Sequence, residues 1–198
     1  SLQIYSGDLT SAKNIDNFIN FGVKKFNSID AAVHCSYPKS KKWGTKFESL
    51  QEKYLNYDIQ KQLGGTIIFA QKITKYFLKN KRGNLVLVSS IQGISAPKFD
   101  HYKGLKMTSP VEYSVIKSGI ISLTSYLAKL YKKDKIIINC VSPGGIKDKQ
   151  PKKFIKRYKD SCATKGLLDA KDIVGTITFL LSNSSKFING QNIIVDDG

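Results

Sequence analysis

Asn84-Leu-Val-Leu-Val-Ser-Ser90 is an apolar run that ends in two hydroxyl side chains. Its length and its valine and leucine content are typical of a strand buried on both faces, as in a parallel sheet. A second run of this kind, Ile136-Ile-Ile-Asn-Cys-Val-Ser-Pro-Gly144, lies further along the chain. Shorter strands are predicted at residues 2–5, 29–34 and 192–195. The pattern therefore predicts a sheet of several short, buried strands.

Segments with helical periodicity separate these strands. Between residues 11 and 26, four apolar side chains recur on one face of a predicted helix: Ile15, Phe18, Ile19 and Val23. Further helical segments are predicted at 47–77, with an interruption near Gly64-Gly65, at 113–130, within 147–159 and at 170–181. Alternating strands and helices predict a single α/β domain over residues 1–198, with a doubly wound, Rossmann-like parallel sheet.

Composition limits the possible classes of protein. With 41% hydrophobic residues, a chain of 198 residues can bury a core without disulfides or metals. Cys35, Cys140 and Cys162 are odd in number and lack metal-ligand spacing, so we expect free thiols and no metal site. Free thiols favour a reducing compartment, and we expect the cytoplasm. No apolar run approaches ~18 residues, so no membrane association is expected.

The chain is strongly basic, with a net charge of +17 from 32 Lys+Arg against 15 Asp+Glu. Such a balance often indicates a nucleic-acid partner. Arginine makes the bidentate contacts of many nucleic-acid interfaces, and here it occurs only as Arg82 and Arg157, so we expect no nucleic-acid partner. The densest basic stretch, residues 147–159, is interpreted as a solvated helix face with its aromatic residues turned inward.

Tyr113-Ser-Val-Ile-Lys117 begins the helix predicted at 113–130. In a helix, Tyr113 and Lys117 stand one turn apart on the same face. A free tyrosine loses its proton near pH ~10, and a fixed cation beside it favours the phenolate. The Ser90 hydroxyl, at the end of a predicted strand, would polarise a substrate carbonyl. The three side chains are therefore candidate catalytic residues, although the spacing alone also fits an exposed helix pair.

These motifs occur in one order along the chain, and together they resemble the short-chain dehydrogenase/reductase family. The resemblance covers essentially the whole chain: the strand ending at Ser90, Tyr113-x-x-x-Lys117, the strand ending at Gly144, and residues 179–198. It implies an oxidoreductase that interconverts a secondary alcohol and a ketone with NAD or NADP. In such an enzyme Ser90 orients the substrate oxygen and Tyr113 transfers the proton. Lys117 lowers the pKa of the phenol and binds the nicotinamide ribose.

The resemblance also implies cofactor contacts and an assembly. Asp8 and Leu9 resemble the pair that holds adenine, and other implied contacts lie at the carboxyl ends of two strands. The implied cofactor-binding residues are Asp8, Leu9, Ser36, Tyr113, Lys117, Pro143, Gly144 and Ile146. Family members pair two neighbouring helices across twofold axes. We therefore expect a homodimer or homotetramer that uses the apolar residues of helices 66–78 and 114–130.

Several family features are missing or altered in this sequence. The chain has no TGxxxGxG loop and begins at the family's third strand, so we expect roughly 50 further residues upstream, carrying the first two strands and the residue that selects NAD or NADP. His34-Cys-Ser-Tyr37 stands where the family has Asn-Asn-Ala-Gly, and the Tyr37 side chain would restrict the approach of the cofactor. His34 is interpreted as a packed residue rather than a catalyst. The family's helix Asn aligns only loosely, near Gln60 or Gln62.

Ser90 and Tyr113 lie farther apart than in the plain family pattern, so residues 95–110 form an enlarged loop beside the site. This loop and neighbouring segments resemble bacterial oxidoreductases of flagellin-modification and surface-sugar gene clusters. That resemblance implies an anionic small-molecule substrate, a phosphorylated or nucleotide-linked sugar. The candidate substrate-binding residues are Gln92, Lys147, Lys152 and Lys153. The altered His34–Tyr37 segment favours an alternative, a non-catalytic binding or assembly protein on the same scaffold.

Overall fold

A computed structural model describes residues 2–198 and contains one parallel sheet of four strands. The strands are β1 (Ala31–His34), β2 (Gly83–Val88), β3 (Ile136–Pro143) and β4 (Asn192–Val195), paired in the order β1-β2-β3-β4. Each strand pairs with the next along the chain, and every pairing is parallel. The carboxyl ends of all four strands therefore meet at one edge, where ligands bind in open α/β sheets.

Six helices connect and cover the strands. They are α1 (Ala12–Phe26), α2 (Glu52–Asp58), α3 (Gly65–Lys79), α4 (Val111–Leu130), α5 (Lys152–Lys159) and α6 (Val174–Leu181). The sheet has helices on both faces, because α1, α3 and α4 pack on one side and α6 on the other. The Rossmann-like, doubly wound α/β fold predicted from the alternation of elements is confirmed.

Alternating side chains of β2 supply both cores. Leu85 and Leu87 are fully buried against α3 and α4, whereas Val86 is fully buried against α6. This alternation follows from the twofold periodicity of a strand. A strand buried on both faces needs apolar residues at every position, and that requirement explains the continuous Leu-Val-Leu-Val run.

Two expected elements differ in the structure. Residues 2–5 form no strand, and Leu2 and Ile4 are 88% and 82% exposed, because none of the four strands lies beside them to exchange backbone hydrogen bonds. The helix predicted at 47–77 begins only at Glu52, and its predicted interruption near Gly64-Gly65 is a π-helical stretch at Ile59–Gly64 that joins α2 to α3. Such stretches often occur at functional sites. No helix among residues 2–198 is long and apolar enough to cross a bilayer.

Candidate active site

Strand β2 and helix α4 bring Ser90, Tyr113 and Lys117 to the carboxyl edge of the sheet. Ser90 follows the end of β2, and the other two residues lie in the first two turns of α4. The Ser89 hydroxyl donates a hydrogen bond of 2.7 Å to the Lys117 carbonyl oxygen, which ties the strand end to the helix. Because Ser89 is buried, this bond fixes the position of Lys117 relative to the end of β2.

The short turn after Ser90 also packs directly on α4. A Cβ atom on Gly93 would lie 2.7 Å from the carbonyl carbon of Lys117, so only glycine permits this approach of the two backbones. The Ser118 hydroxyl donates to the Gly93 carbonyl oxygen at 2.7 Å. The relative position of Ser90 and the Tyr113–Lys117 pair is therefore set by backbone packing rather than by flexible side chains.

The Tyr113 phenol is in a desolvated position. Burial raises the pKa of Tyr113, and hydrogen bonding with the Ser90 hydroxyl lowers this pKa by a smaller amount. The Lys117 ammonium lies 5.5 Å from the centre of the Tyr113 ring. The sequence led us to expect that Lys117 lowers the pKa of Tyr113, but in the structure burial is the largest influence and the pKa of the phenol is raised.

Lys117 is itself buried, with 6% of its surface exposed. Burial lowers the pKa of Lys117 to about 8, so its ammonium form is destabilised by the site. Its Nζ donates to the Val88 carbonyl oxygen at 3.1 Å. This bond places the ammonium at the end of β2, 5.5 Å from the centre of the Tyr113 ring.

Two aromatic side chains from the loop after β1 cover this pair. The Tyr37 ring lies 5.6 Å from the Tyr113 ring and 5.6 Å from the Lys117 ammonium, and Trp43 lies 6.0 Å from the Tyr113 ring. Tyr37 and Trp43 contact each other edge to face at 5.5 Å. The sequence indicated that Tyr37 would restrict access, but nothing in the sequence placed Trp43 over the candidate catalytic residues.

A buried carboxylate anchors this aromatic loop. Asp58, at the end of α2, is 1% exposed and accepts hydrogen bonds of 2.7 Å from both the backbone N–H and the hydroxyl of Ser40. Ser40 lies between Tyr37 and Trp43 in the chain. The two aromatic rings are therefore held on a loop that is fixed to the start of the π-helical stretch.

Two polar side chains are buried, one at the end of β1 and one in the π-helical stretch. His34 is 6% exposed, its ring contacts Phe69 at 4.7 Å, and burial and the Lys117 charge lower the pKa of His34 to about 4. His34 is thus a neutral, packed residue, as the sequence indicated. Gln62, in the π-helical stretch, is 3% exposed, and neither atom of its side-chain amide has a partner among the described residues.

The other predicted cofactor contacts divide into two groups. Pro143, Gly144 and Ile146 lie at the end of β3 on the same edge as Ser90, and Gly144 permits the backbone of Asp196 to approach. Asp8, Leu9 and Ser36 lie elsewhere: Ser36 is exposed after β1, and the Asp8 carboxylate accepts hydrogen bonds from Thr10 before α1. Within residues 2–198, no hydrogen bond or ion pair joins these three residues to Ser90, Tyr113 or Lys117.

The predicted substrate residues also separate. Gln92 adjoins the site, because its backbone N–H donates to the Ser90 hydroxyl at 3.2 Å. Lys147, Lys152 and Lys153 are exposed after β3 and on α5, and no hydrogen bond within residues 2–198 joins them to Ser90, Tyr113 or Lys117. An open cavity of about 770 Å³ lies beside Gln92, lined by the enlarged loop and by Phe47 and Ser114.

Comparison with known proteins agrees with this geometry. A family model described as enoyl-(acyl carrier protein) reductase matches residues 1–198. The chain belongs to the short-chain dehydrogenase/reductase family. A post-translational flagellin modification protein A of Campylobacter coli is 42% identical over 96% of this chain and 75% of its own length. A 7alpha-hydroxysteroid dehydrogenase of Bacteroides fragilis is 29% identical, over 96% of this chain and 71% of its own length.

A solved structure shares the fold as well. The short-chain dehydrogenase of Leptospira borgpetersenii with bound NAD+ has a TM-score of 0.88 and 28% identity, over 98% of this chain and 74% of that chain. This short-chain dehydrogenase/reductase is an NAD(P)-dependent oxidoreductase. The recognition of the family from Ser90, Tyr113, Lys117 and the terminal strand motifs is confirmed.

The donors at the sheet edge fit a nicotinamide cofactor. An ammonium has three N–H donors, and Lys117 uses one of them on an acceptor within residues 2–198, the Val88 carbonyl. The remaining donors suit the hydroxyls of a ribose, and the Tyr113 phenol lies beside them. The Tyr37 ring lies 5.6 Å from the same ammonium, so a bound ribose would share this cation with the ring.

Proposed function

We propose that this oxidoreductase interconverts a secondary alcohol and a ketone on a phosphorylated or nucleotide-linked sugar, in the modification of flagellin or another surface glycan. The observation that carries the reaction type is the group of Ser90, Tyr113 and Lys117, held together by the packing of the turn after β2 on α4. The biological setting is supported by the similarity to the flagellin modification protein of Campylobacter coli.

In this proposal each catalytic side chain has one role. The Ser90 hydroxyl holds the substrate oxygen, and the Tyr113 phenol exchanges a proton with it. Lys117 holds the nicotinamide ribose and supplies positive charge near the phenol. The bound cofactor supplies the hydride donor or acceptor. Because burial raises the pKa of Tyr113, the phenol holds its proton at neutral pH, and the positive charge of Lys117 is needed to favour release of that proton.

The cofactor contacts are proposed in two parts. Pro143, Gly144 and Ile146 flank the nicotinamide, since they end the strand next to β2. Asp8 and Leu9 hold the adenine, and Ser36 contacts the adenine ribose. The Asp8 carboxylate already accepts from Thr10 and lies 3.5 Å from the Lys61 ammonium, so adenine would share it with these partners.

Charge supports the proposed class of substrate. Lys147, Lys152 and Lys153 are exposed before and on α5. The enlarged loop at residues 95–110 is bound to α5, and together with Gln92 it lines a cavity beside the site. Surface ammonium groups attract phosphate without fixing its geometry, so they favour an anionic substrate at the entrance. The cavity beside Gln92, of about 770 Å³, is large enough for a sugar.

Assembly and location complete the proposal. Of the apolar residues on the two helices expected to pair, Phe69, Phe77 and Leu127 belong to the core, whereas Ile67 and Tyr126 are 43% and 65% exposed. The outward faces of α3 and α4 therefore retain apolar surface, which supports a homodimer or homotetramer. The scattered thiols of the chain support the cytoplasm as its location.

Tyr113→Phe tests the proposed catalysis in the full-length protein. It removes the transferable proton, so turnover of a panel of sugar phosphates and nucleotide sugars with NAD+ or NADP+ should fall at least ~100-fold. The affinity for the cofactor, measured by calorimetry, should be retained. Tyr57→Phe is the matched control, since Tyr57 is 42% exposed on α2. Cofactor binding without turnover of any panel member would favour the non-catalytic alternative.

A further inference from the structure

The enlarged loop at residues 95–110 is docked on α5 and does not hang free. His101, in the turn Phe99–Tyr102, is 8% exposed and contacts the Phe154 and Tyr158 rings at 6.0 and 5.3 Å. The Tyr102 ring packs on Phe154 at 5.1 Å. On the same helix, Arg157 donates to the Lys103 carbonyl oxygen at 2.6 Å. The loop is therefore a fixed wall of the site.

This wall ends in a small group of neutral polar side chains beside Ser90. Gln92 donates through Nε2 to the Tyr102 phenol oxygen at 3.5 Å, and the Ser109 hydroxyl donates to Oε1 of Gln92. The backbone N–H of Gln92 donates to Ser90 Oγ. The Tyr102 phenol is near enough to Tyr113 to contribute to the raised pKa of that residue, after burial and the Ser90 hydrogen bond.

One donor of this group remains for a ligand, and a second can be shared with it. The second N–H of the Gln92 amide has no acceptor within residues 2–198. The Tyr102 phenol oxygen accepts from Gln92 and also interacts with the Ser109 hydroxyl, so a ligand oxygen would share the Tyr102 O–H with Ser109. Gln92, Tyr102 and Ser109 carry no charge, and the small cavity behind them, about 180 Å³, includes the Asp196 side chain. A neutral oxygen suits these donors better than a phosphate or carboxylate.

We propose that Tyr102 and Gln92 bind the hydroxyl on the carbon next to the reacting carbon. The enzyme would thereby select 1,2-diols and the corresponding hydroxyketones. The two oxygens of a 1,2-diol lie within hydrogen-bond distance of each other, and the backbone hydrogen bond from Gln92 to the Ser90 hydroxyl places Gln92 in the same turn as the residue that holds the reacting oxygen. One oxygen then contacts Ser90 and Tyr113, and its neighbour contacts Tyr102 and Gln92. The inference rests on the proposed oxidoreductase role of Ser90, Tyr113 and Lys117.

The test compares cyclohexane-1,2-diol, as cis and trans isomers, with cyclohexanol in the full-length protein supplied with NAD+ or NADP+. The parent should oxidise one diol isomer with a kcat/KM at least ~10-fold above that for cyclohexanol, the worth of one satisfied buried hydrogen bond. Tyr102→Phe keeps the ring on Phe154 but removes the donor. It should abolish the diol preference, measured as the ratio of kcat/KM for the diol to kcat/KM for cyclohexanol, and Tyr57→Phe should leave that ratio unchanged.

The outcomes separate the inference from the proposed function. Oxidation of cyclohexanol without a diol preference, or a diol preference that survives in Tyr102→Phe, would overturn the role of Tyr102 and leave the reaction type intact. A loss of both activities in Tyr102→Phe would also overturn it, because a substrate-selecting residue acts on the diol alone. Absence of cofactor reduction with all three alcohols in the parent would overturn the inference, and the panel of sugar phosphates and nucleotide sugars would then decide the proposed function separately.

Discussion

Lys117→Met should stabilise the cofactor-free protein. The Lys117 side chain is 6% exposed, and burial lowers the pKa of its ammonium from 10.5 to about 8. At ~1.4 kcal/mol for each pKa unit, the fold therefore holds the charged form at a cost of roughly 3 kcal/mol at pH 7. Methionine removes that cost but leaves the Val88 carbonyl without the 3.1 Å hydrogen bond, a loss of ~1 kcal/mol or more. The expected net gain is about 1–2 kcal/mol.

The pH dependence gives this prediction a second signature. The folded-state pKa lies below the unfolded value, so between pH 8 and 10.5 the unfolded chain holds the Lys117 proton and the folded protein does not. The stability contribution of Lys117 therefore rises with pH across that window. The advantage of Lys117→Met should be constant below pH 8 and should decrease towards pH 10.5.

Urea unfolding of the parent and the variant at several pH values measures this difference. Lys75→Met is the control, because Lys75 is exposed on α3 and its replacement should give a small difference without that pH dependence. A Lys117→Met protein that is less stable than the parent at pH 7, or whose advantage does not change between pH 8 and 10.5, would refute the reasoning from desolvation.

Three further outcomes follow from the site and the helices. Tyr37→Ala removes a ring 5.6 Å from the Lys117 ammonium, a contact worth ~0.5–1 kcal/mol, and should tighten NAD+ binding about two- to fivefold by calorimetry; weaker binding would mean that Tyr37 packs on the cofactor instead. Gly93→Ala forces a Cβ to 2.7 Å from the Lys117 carbonyl carbon and should cost ~1–3 kcal/mol in urea unfolding and reduce turnover; an unchanged stability would show that α4 can move. Val115→Asp, on an α4 residue that is 54% exposed, should convert a dimer or tetramer to monomers in sedimentation, and a monomeric parent would rule out that assembly.

Much of the fold could be predicted from hydrophobic periodicity. The strand at Asn192–Val195 has the predicted bounds, and α1 and α4 begin within two residues of their predicted starts. Buried strands and amphipathic helices carry their own pattern, since every buried position must be apolar. The π-helical stretch at Ile59–Gly64 could not be predicted in this way, because it follows the same apolar pattern as an α-helix.

The candidate site was predictable in part for a similar reason. Ser90, Tyr113 and Lys117 are tied to regular elements, so their convergence follows from the strand and helix that carry them. Tyr102 and Trp43 lie on loops, and no periodicity indicates where a loop residue points. The one available signal for Tyr102 was the enlarged loop itself, since extra residues beside an active site commonly contact the substrate. The unpartnered Gln62 amide likewise required coordinates.

The Lys117 ammonium makes contacts with the Tyr37 ring and the Val88 carbonyl, and a bound cofactor would compete for this ammonium. Lys117 is buried at a cost, and the Tyr37 ring offsets part of that cost by lying over the ammonium. A cofactor ribose bound to Lys117 would provide new hydrogen bonds to the same ammonium, so it would compete with the ring for one charge. Tyr37 and Trp43 are carried on a loop that is held by the Ser40–Asp58 hydrogen bonds, and the two rings contact each other at 5.5 Å. Access to the Lys117 ammonium therefore depends on both rings and on the loop that carries them.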